Sequence, residues 1–277
     1  MFHAVTPGKD FAQACKQGAF GKAHSVFERA LNVELAEGGL LTMLCGGADV
    51  FSASCVATAP AGYWESQVKP GDNVIFTPDI MYVENVPVVG KISAANLWEK
   101  LSGAEIYALG KPAYTELLAL CKELEEYLYA SGRSETFPSP PLCDFNPVDF
   151  IGLGSGLTPS GDDFLAGMLH GMRFLESLYG RKCPCLPHIA DSIRRNLHRT
   201  GSISRHFLRY ALKGEWGRST ENFLVALVSG AKKKLYEAAN AKLAWGANSG
   251  AEEMRGCLFG IRESVSYLRA LQETAPP

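Results

Sequence analysis

The sequence predicts an α+β fold: a β-rich, barrel- or sandwich-like N-terminal part followed by an α-helical C-terminal part, segregated rather than alternating. Two observations carry this. Across the first hundred residues, short runs rich in Val, Ile, Phe and Tyr are cut by Gly-Gly, Pro-Ala-Gly and Lys-Pro-Gly-Asp turns. From Pro112 onward the apolar residues recur at helical spacing instead. The boundary falls at 107/108, so domains are expected over 1–107 and 108–277. A chain of 277 residues can form two modest domains, and its buried surface makes a metal or disulfide staple unnecessary.

In chain order, strands are expected over Ala23–Phe27, Leu31–Leu35, Leu40–Leu44, Val50–Thr58, Val74–Thr77 and Met81–Gly90. Short strands at this spacing suggest a small antiparallel barrel or sandwich. The first helix lies between Pro112 and Gly132, where Leu117, Leu118, Cys121, Leu124 and Leu128 share one face. Ser131–Pro147 is rich in Pro and Ser and reads as a connector. Helices are then expected over Ser160–Tyr179, Pro187–His198, Ser202–Lys213, Thr220–Val228, Ala231–Leu243 and Ser249–Leu271.

Composition excludes several functions. Hydrophobic residues make up 47% and charged residues 20%, and the net charge is −2. The longest basic run is Lys232-Lys233-Lys234, so no nucleic-acid footprint is expected. The least charged stretch, Gly38–Trp64, is broken by Gly, Asp49, Ser and Pro and does not read as a membrane span. The start shows no secretory pattern, and a cytoplasmic location is expected. Eight cysteines are scattered without a C-x-x-C pair, and Cys183-Pro184-Cys185 is too tight for a zinc knuckle. Reduced thiols are the expected state.

The chemistry concentrates at 152–163. Gly152, Gly154 and Gly156 permit positive φ and close approach of the backbone to a ligand, so that successive amides form an anion-binding concavity. Thr158, Ser160 and Gly161 follow, and Asp162 and Asp163 open a helix. Ser160 reads as an N-cap with Asp163 reaching back, a capping box, and both carboxylates suit the positive end of the helix dipole. Capping therefore explains the acids but not the alternating glycines. No Lys follows the last Gly and no βαβ unit surrounds it, so a Walker loop and a dinucleotide fingerprint are disfavoured. A small anion fits better, with Gly154, Ser155, Gly156, Thr158, Ser160 and Gly161 as its ligands.

This segment has an echo. Ser249–Gly260 aligns without gaps on Ser160–Gly171, sharing Ser-Gly-x-acid-x-apolar-x-Gly-x-Leu-x-Gly. Each copy carries a capping-box pattern and Gly-x-x-x-Gly. Glycine costs about 1 kcal/mol relative to alanine within a helix, and close helix contact is the expected compensation. The two helices should lie side by side, with their N-termini converging on one pocket. A third helix start, Thr200-Gly201-Ser202-Ile203-Ser204-Arg205, offers hydroxyls at Thr200 and Ser204 and a guanidinium fork at Arg205, although an ordinary capped helix has the same look. His170 reads as a core residue and His24 as a strand residue before either reads as catalytic.

The string Gly154-Ser155-Gly156-Leu157-Thr158-Pro159-Ser160-Gly161-Asp162-Asp163-Phe164-Leu165-Ala166-Gly167 resembles the signature of a bacterial AllH-like family. One member of that family is the AllH subunit of oxamate carbamoyltransferase, from anaerobic allantoin degradation. The resemblance extends to His24-Ser25-Val26-Phe27, to Thr200 and Ser204, and to Asn248-Ser249-Gly250. Glu252 departs from it, because the family tends to carry Asp there.

The resemblance implies a subunit of a hetero-oligomeric enzyme that interconverts oxalurate and phosphate with oxamate and carbamoyl phosphate. The Ser-Thr-Arg-Thr phosphate loop of aspartate and ornithine carbamoyltransferases is missing, and Arg218-Ser219-Thr220-Glu221 only echoes it. Such a reaction needs donors for phosphate, expected from Gly154–Gly156, Thr158 and Ser160, with Asn248 and Ser249 as further ligands. It also needs a cation for the oxamate carboxylate, expected from Arg205. Asp162 or Asp163 would orient the attacking amide nitrogen or hold Mg²⁺. A bridging Mg²⁺ would offset the repulsion of roughly 3–4 kcal/mol that each carboxylate exerts on an anion about 4–5 Å away. The competing reading is a non-catalytic anion-binding or scaffold subunit.

Overall fold

The structure is a computed structural model and describes residues 2–47, 49–78, 81–84, 90–92, 97–132 and 144–274. It packs as two compact units, Met1–Lys100 and Leu101–Pro277, in the expected α+β layout.

The first unit is built on one eight-stranded sheet. Its strands are β1 (Phe2–Pro7), β2 (Phe20–Phe27), β3 (Ala30–Leu35), β4 (Leu40–Leu44), β5 (Ser54–Ala57), β6 (Asn73–Phe76), β7 (Met81–Val83) and β8 (Gly90–Ile92), in the order β7-β6-β2-β3-β4-β5-β1-β8. The expected all-antiparallel pairing needs correction: β4 pairs with β5, and β1 with β8, in parallel. The apolar run Val50–Thr58 was expected to be one strand, but its first half is a buried turn. There the Ser54 hydroxyl accepts from Phe51 N at 2.8 Å and donates to Phe51 O at 3.1 Å. That turn lets the chain return in the direction of β4. Of the expected strand Met81–Gly90, residues 85–89 lie outside the described residues, as do 133–143 of the connector. Helix α1 (Lys9–Lys16), unexpected from the sequence, buries Phe11, Ala14 and Cys15 on the i, i+3, i+4 face. Phe11 meets Phe76 of β6 edge-on, with ring centres 5.5 Å apart. A short α2 (Tyr63–Gln67) buries Trp64.

The second unit is helical: α3 (Gly103–Tyr107), α4 (Tyr114–Ala130), α5 (Ser160–Tyr179), α6 (Leu186–Asn196), α7 (Ser202–Lys213), α8 (Arg218–Ser229), α9 (Lys232–Leu243) and α10 (Ser249–Thr274). A 3-10 turn, Leu197–Arg199, links α6 to α7. At its centre α5 and α10 run parallel, in the contact that the two Gly-x-x-x-Gly faces lead one to expect. A Cβ on Gly167 would stand 1.9 Å from Glu253 O, and one on Gly256 would stand 2.0 Å from Phe164 O. Further along, Gly171 abuts Cys257 O and Gly260 abuts Met168 O. Each contact becomes the other when residues are exchanged for their counterparts in the repeat, so a local twofold axis runs along the pair. Parallel packing brings both N-termini to the same end.

Candidate functional site

The loop before α5 is shaped by its glycines. Gly152 has φ +76° and Gly154 φ +112°; a Cβ would meet Arg199 O at 2.8 Å in the first case and Ser160 N at 2.8 Å in the second. Gly156 has φ +92° in open space, and a Cβ on Gly161 would lie 2.1 Å from Phe150 O. Side chains are excluded by backbone conformation at three positions and by backbone contact at three. The loop is closed by Leu153 N donating to Phe150 O at 3.0 Å and Gly161 N donating to Leu153 O at 2.8 Å. Among the described residues, the amides of Gly154 to Thr158 meet no protein acceptor, and residues 153–157 are exposed. Ser160 is buried in the first turn, whereas Ser155 is at the surface.

The expected capping box at Ser160 is not formed. Pro159 is the N-cap, and its carbonyl accepts from Asp162 N at 2.9 Å and Asp163 N at 3.2 Å, which leaves Ser160 inside the helix. The two carboxyl groups are used elsewhere. Asp162 Oδ1 accepts from Gly152 N at 2.9 Å, and Oδ2 accepts from the Thr200 hydroxyl in a short hydrogen bond. The single Ser204 hydroxyl proton is shared between Asp162 and Leu157 O, the latter at 3.4 Å. Burial raises the Asp162 carboxyl, and these donors oppose the rise. Asp162 therefore stitches the loop to the 200–204 segment and is a positioning residue.

Asp163 is turned towards α10. It shares a hydrogen bond with Ser249, and its Oδ2 has no protein partner. Burial raises this carboxyl well above the usual carboxylate range; Glu253 and Asp162 push the same way, and Lys242 opposes. The raised carboxyl weakens the negative charge that Asp163 brings to the loop, and with it the repulsion expected from the sequence. Ser249 also meets the Thr158 hydroxyl at 2.9 Å, which ties the start of α10 to the glycine loop. Asn248 is exposed beside it, and its carbonyl accepts from Glu252 N at 3.0 Å.

Arg205 is not positioned as expected. Its Nε donates to Leu197 O at 3.0 Å and its Nη2 to Thr200 O at 2.9 Å. It lines a cleft formed with Arg194, Leu197, His198, Arg209, Leu212 and Lys213, none of which belongs to the loop.

The sequence reading missed an ionic cluster inside the helical unit. Lys242 Nζ lies 2.6 Å from Glu253 Oε2 and donates to the Thr220 hydroxyl at 2.8 Å. Thr220 donates in turn to Glu253 Oε1, which His170 Nδ1 approaches at 3.2 Å. Burial alone would raise the Glu253 carboxyl, but Lys242 and His170 outweigh it and hold it well below the usual range. One signal was available: Lys242 falls on the buried face of α9 with Leu235, Ala239 and Leu243. In the first unit, Thr42 Oγ1 donates to Asn32 Oδ1 at 2.8 Å, Asn32 Nδ2 donates to Ser25 Oγ at 3.0 Å, and Ser25 Oγ lies 3.2 Å from His24 Nδ1. His24 thus belongs to a polar chain on the sheet.

Among the described residues no three His, Cys, Asp or Glu side chains converge as a metal site requires, and no helix is long and apolar enough to cross a membrane. The seven described cysteines are free; Cys143 lies outside the described residues.

No solved structure matches this one. Two family models do match. Residues 3–105 match the AllH family N-terminal domain, and residues 150–261, which include the glycine loop and both Ser-Gly helix starts, match the family described as oxamate carbamoyltransferase subunit AllH. With both halves matched, the chain belongs to the AllH family.

Proposed function

We propose that this chain is the anion-holding subunit of a cytoplasmic carbamoyltransferase that interconverts oxalurate and phosphate with oxamate and carbamoyl phosphate in allantoin catabolism. The observation that carries this reading is the meeting of two parallel helix N-termini at a loop with open amides. Each N-terminus contributes a partial positive charge of about half a unit, and unpaired amides supply directed donors. The amides of Gly154 to Thr158, with the Thr158 and Ser249 hydroxyls, would hold phosphate or the phosphoryl end of carbamoyl phosphate. Asp162, Thr200 and Ser204 fix the loop. Asp162 is committed to Gly152, Thr200 and Ser204 as a positioning residue and the loop's donors are amides and hydroxyls, so anion binding is expected without metal.

Arg205 lines the cleft with Arg194, Arg209 and Lys213 and not the loop, so we assign the cation for the oxamate carboxylate to a partner subunit. The purified chain alone should then show little oxalurate phosphorolysis, and adding its partner subunits should restore it. Gly154→Val should abolish the restored activity. Robust turnover by the isolated chain would overturn the shared site, and full activity of the Gly154→Val assembly would overturn the role of the loop. A second reading, in which the loop is a docking element of a scaffold subunit, draws on Leu153 and Leu157, which are 41% and 54% exposed beside it. In that case Gly154→Val loses assembly while the wild-type chain fails to bind phosphate.

A further inference from the structure

We infer that the cleft between α6 and α7 is a second anion site, distinct from the glycine loop, for a phosphorylated ligand with a planar or apolar body, in the class of a nucleoside diphosphate. Its lining carries Arg194, Arg205, Arg209 and Lys213, together with His198. Among the described residues only Arg194 has a carboxylate partner, Asp191 at 3.5 Å, and Asp191 is shared with Arg195 at 2.7 Å. Three permanent cations therefore face one cleft without a counter-charge, in a chain whose formal charge is −2. Such focusing attracts anions, and arginine forks match phosphate oxygens in pairs.

The size and floor of the cleft narrow the ligand. Its volume is about 450 Å³, within the roughly 300–1,000 Å³ of pockets that enclose organic ligands. Inorganic phosphate would leave most of it unfilled. Leu197 and Leu212, each 8% exposed, provide an apolar surface for the remainder of the ligand. The carbonyl of each is engaged: Arg173 Nη2 donates to Leu212 O at 2.7 Å, and Arg205 Nε to Leu197 O at 3.0 Å. Arg205 is thereby held in place before any ligand arrives, which lowers the ordering cost of binding. Lys213 Nζ sits over the Tyr210 ring, 5.1 Å from its centre.

The test is calorimetric titration of the full chain at low salt with ADP, pyrophosphate, adenosine and inorganic phosphate. ADP should bind with one site per chain, pyrophosphate more weakly, and adenosine not saturably. Affinity for ADP should fall with added salt and at least tenfold in Arg209→Gln/Lys213→Gln. Both residues are exposed, so this variant should keep the wild-type melting temperature. Gly154→Val should bind ADP like wild type, which separates this site from the loop. The inference is overturned if ADP does not bind, if adenosine binds as well as ADP, if the double variant binds unchanged, or if Gly154→Val alone removes ADP binding.

Discussion

Replacing Gly167 by alanine tests the α5–α10 contact directly. The new Cβ would stand 1.9 Å from Glu253 O, where ordinary contact begins near 3.4 Å, so about 1.5 Å must be found (3.4 − 1.9). The obstructing atom is backbone carbonyl in the partner helix, and no rotamer change can move it aside. The helices must separate or slide. Overpacking of this kind costs about 1–3 kcal/mol, here at the upper end, while alanine returns about 1 kcal/mol of helix propensity. A net loss of about 2 kcal/mol corresponds to roughly 4–8 °C in melting temperature for a chain of this size. Thermal unfolding followed by circular dichroism measures it, with Gly103→Ala as control, because a Cβ at Gly103 meets only Ser177 Oγ at 3.8 Å. Gly256→Ala should behave like Gly167→Ala, and the double variant should lose less than the sum, since one separation relieves both clashes. If Gly167→Ala melts no lower than the control, the close-packed pair is refuted.

Other outcomes follow from the same site. Thr200→Val deletes the hydroxyl that donates to buried Asp162 Oδ2, and should cost about 1–3 kcal/mol in denaturant unfolding and speed amide exchange at Gly152. Burial raises the Asp163 carboxyl, so stability should fall as pH rises from the unfolded value near 4 towards the raised folded one. Asp163→Asn should remove that slope and be at least as stable as wild type at neutral pH; an unchanged slope would show that Asp163 is ionised. Lys242→Met strands the Glu253 charge and should cost about 3–5 kcal/mol, with Lys242→Met/Glu253→Gln recovering part of it in the same unfolding assay.

The helical unit was the more legible half. Helices α5 and α7 begin and end where the 3.6-residue period and their glycine stops put them, because local signals and packing agree. The internal repeat revealed the α5–α10 pairing, since glycine four residues apart in a helix has few purposes other than close approach. Less legible was whatever depends on tertiary context. Whether Val50–Thr58 is one strand or a turn and a strand depends on where β4 lies, and α1 is too short for its period to stand out. At the site, glycine positions were readable because positive φ and backbone contact are properties of the chain itself. The side-chain partners were not: Asp162, Asp163 and Arg205 look like a reactive trio in sequence, yet each is engaged by a different neighbour in space. The Lys242–Glu253 pair was hidden because its members belong to different helices, α9 and α10, and meet only through the way these pack.

The central claim is that the loop at 152–158 holds a phosphate-bearing anion, and its most direct test is calorimetric titration of phosphate and carbamoyl phosphate into the full chain, with and without Mg²⁺. The expected result is one-site binding of both anions that does not require Mg²⁺ and is lost in Gly154→Val, whose Cβ would press on Ser160 N at 2.8 Å. A melting temperature recorded on the same variant separates loss of the site from loss of the fold. Absence of binding to the wild-type chain under every condition, or equal binding by a folded Gly154→Val, would contradict the account and leave the loop a structural element.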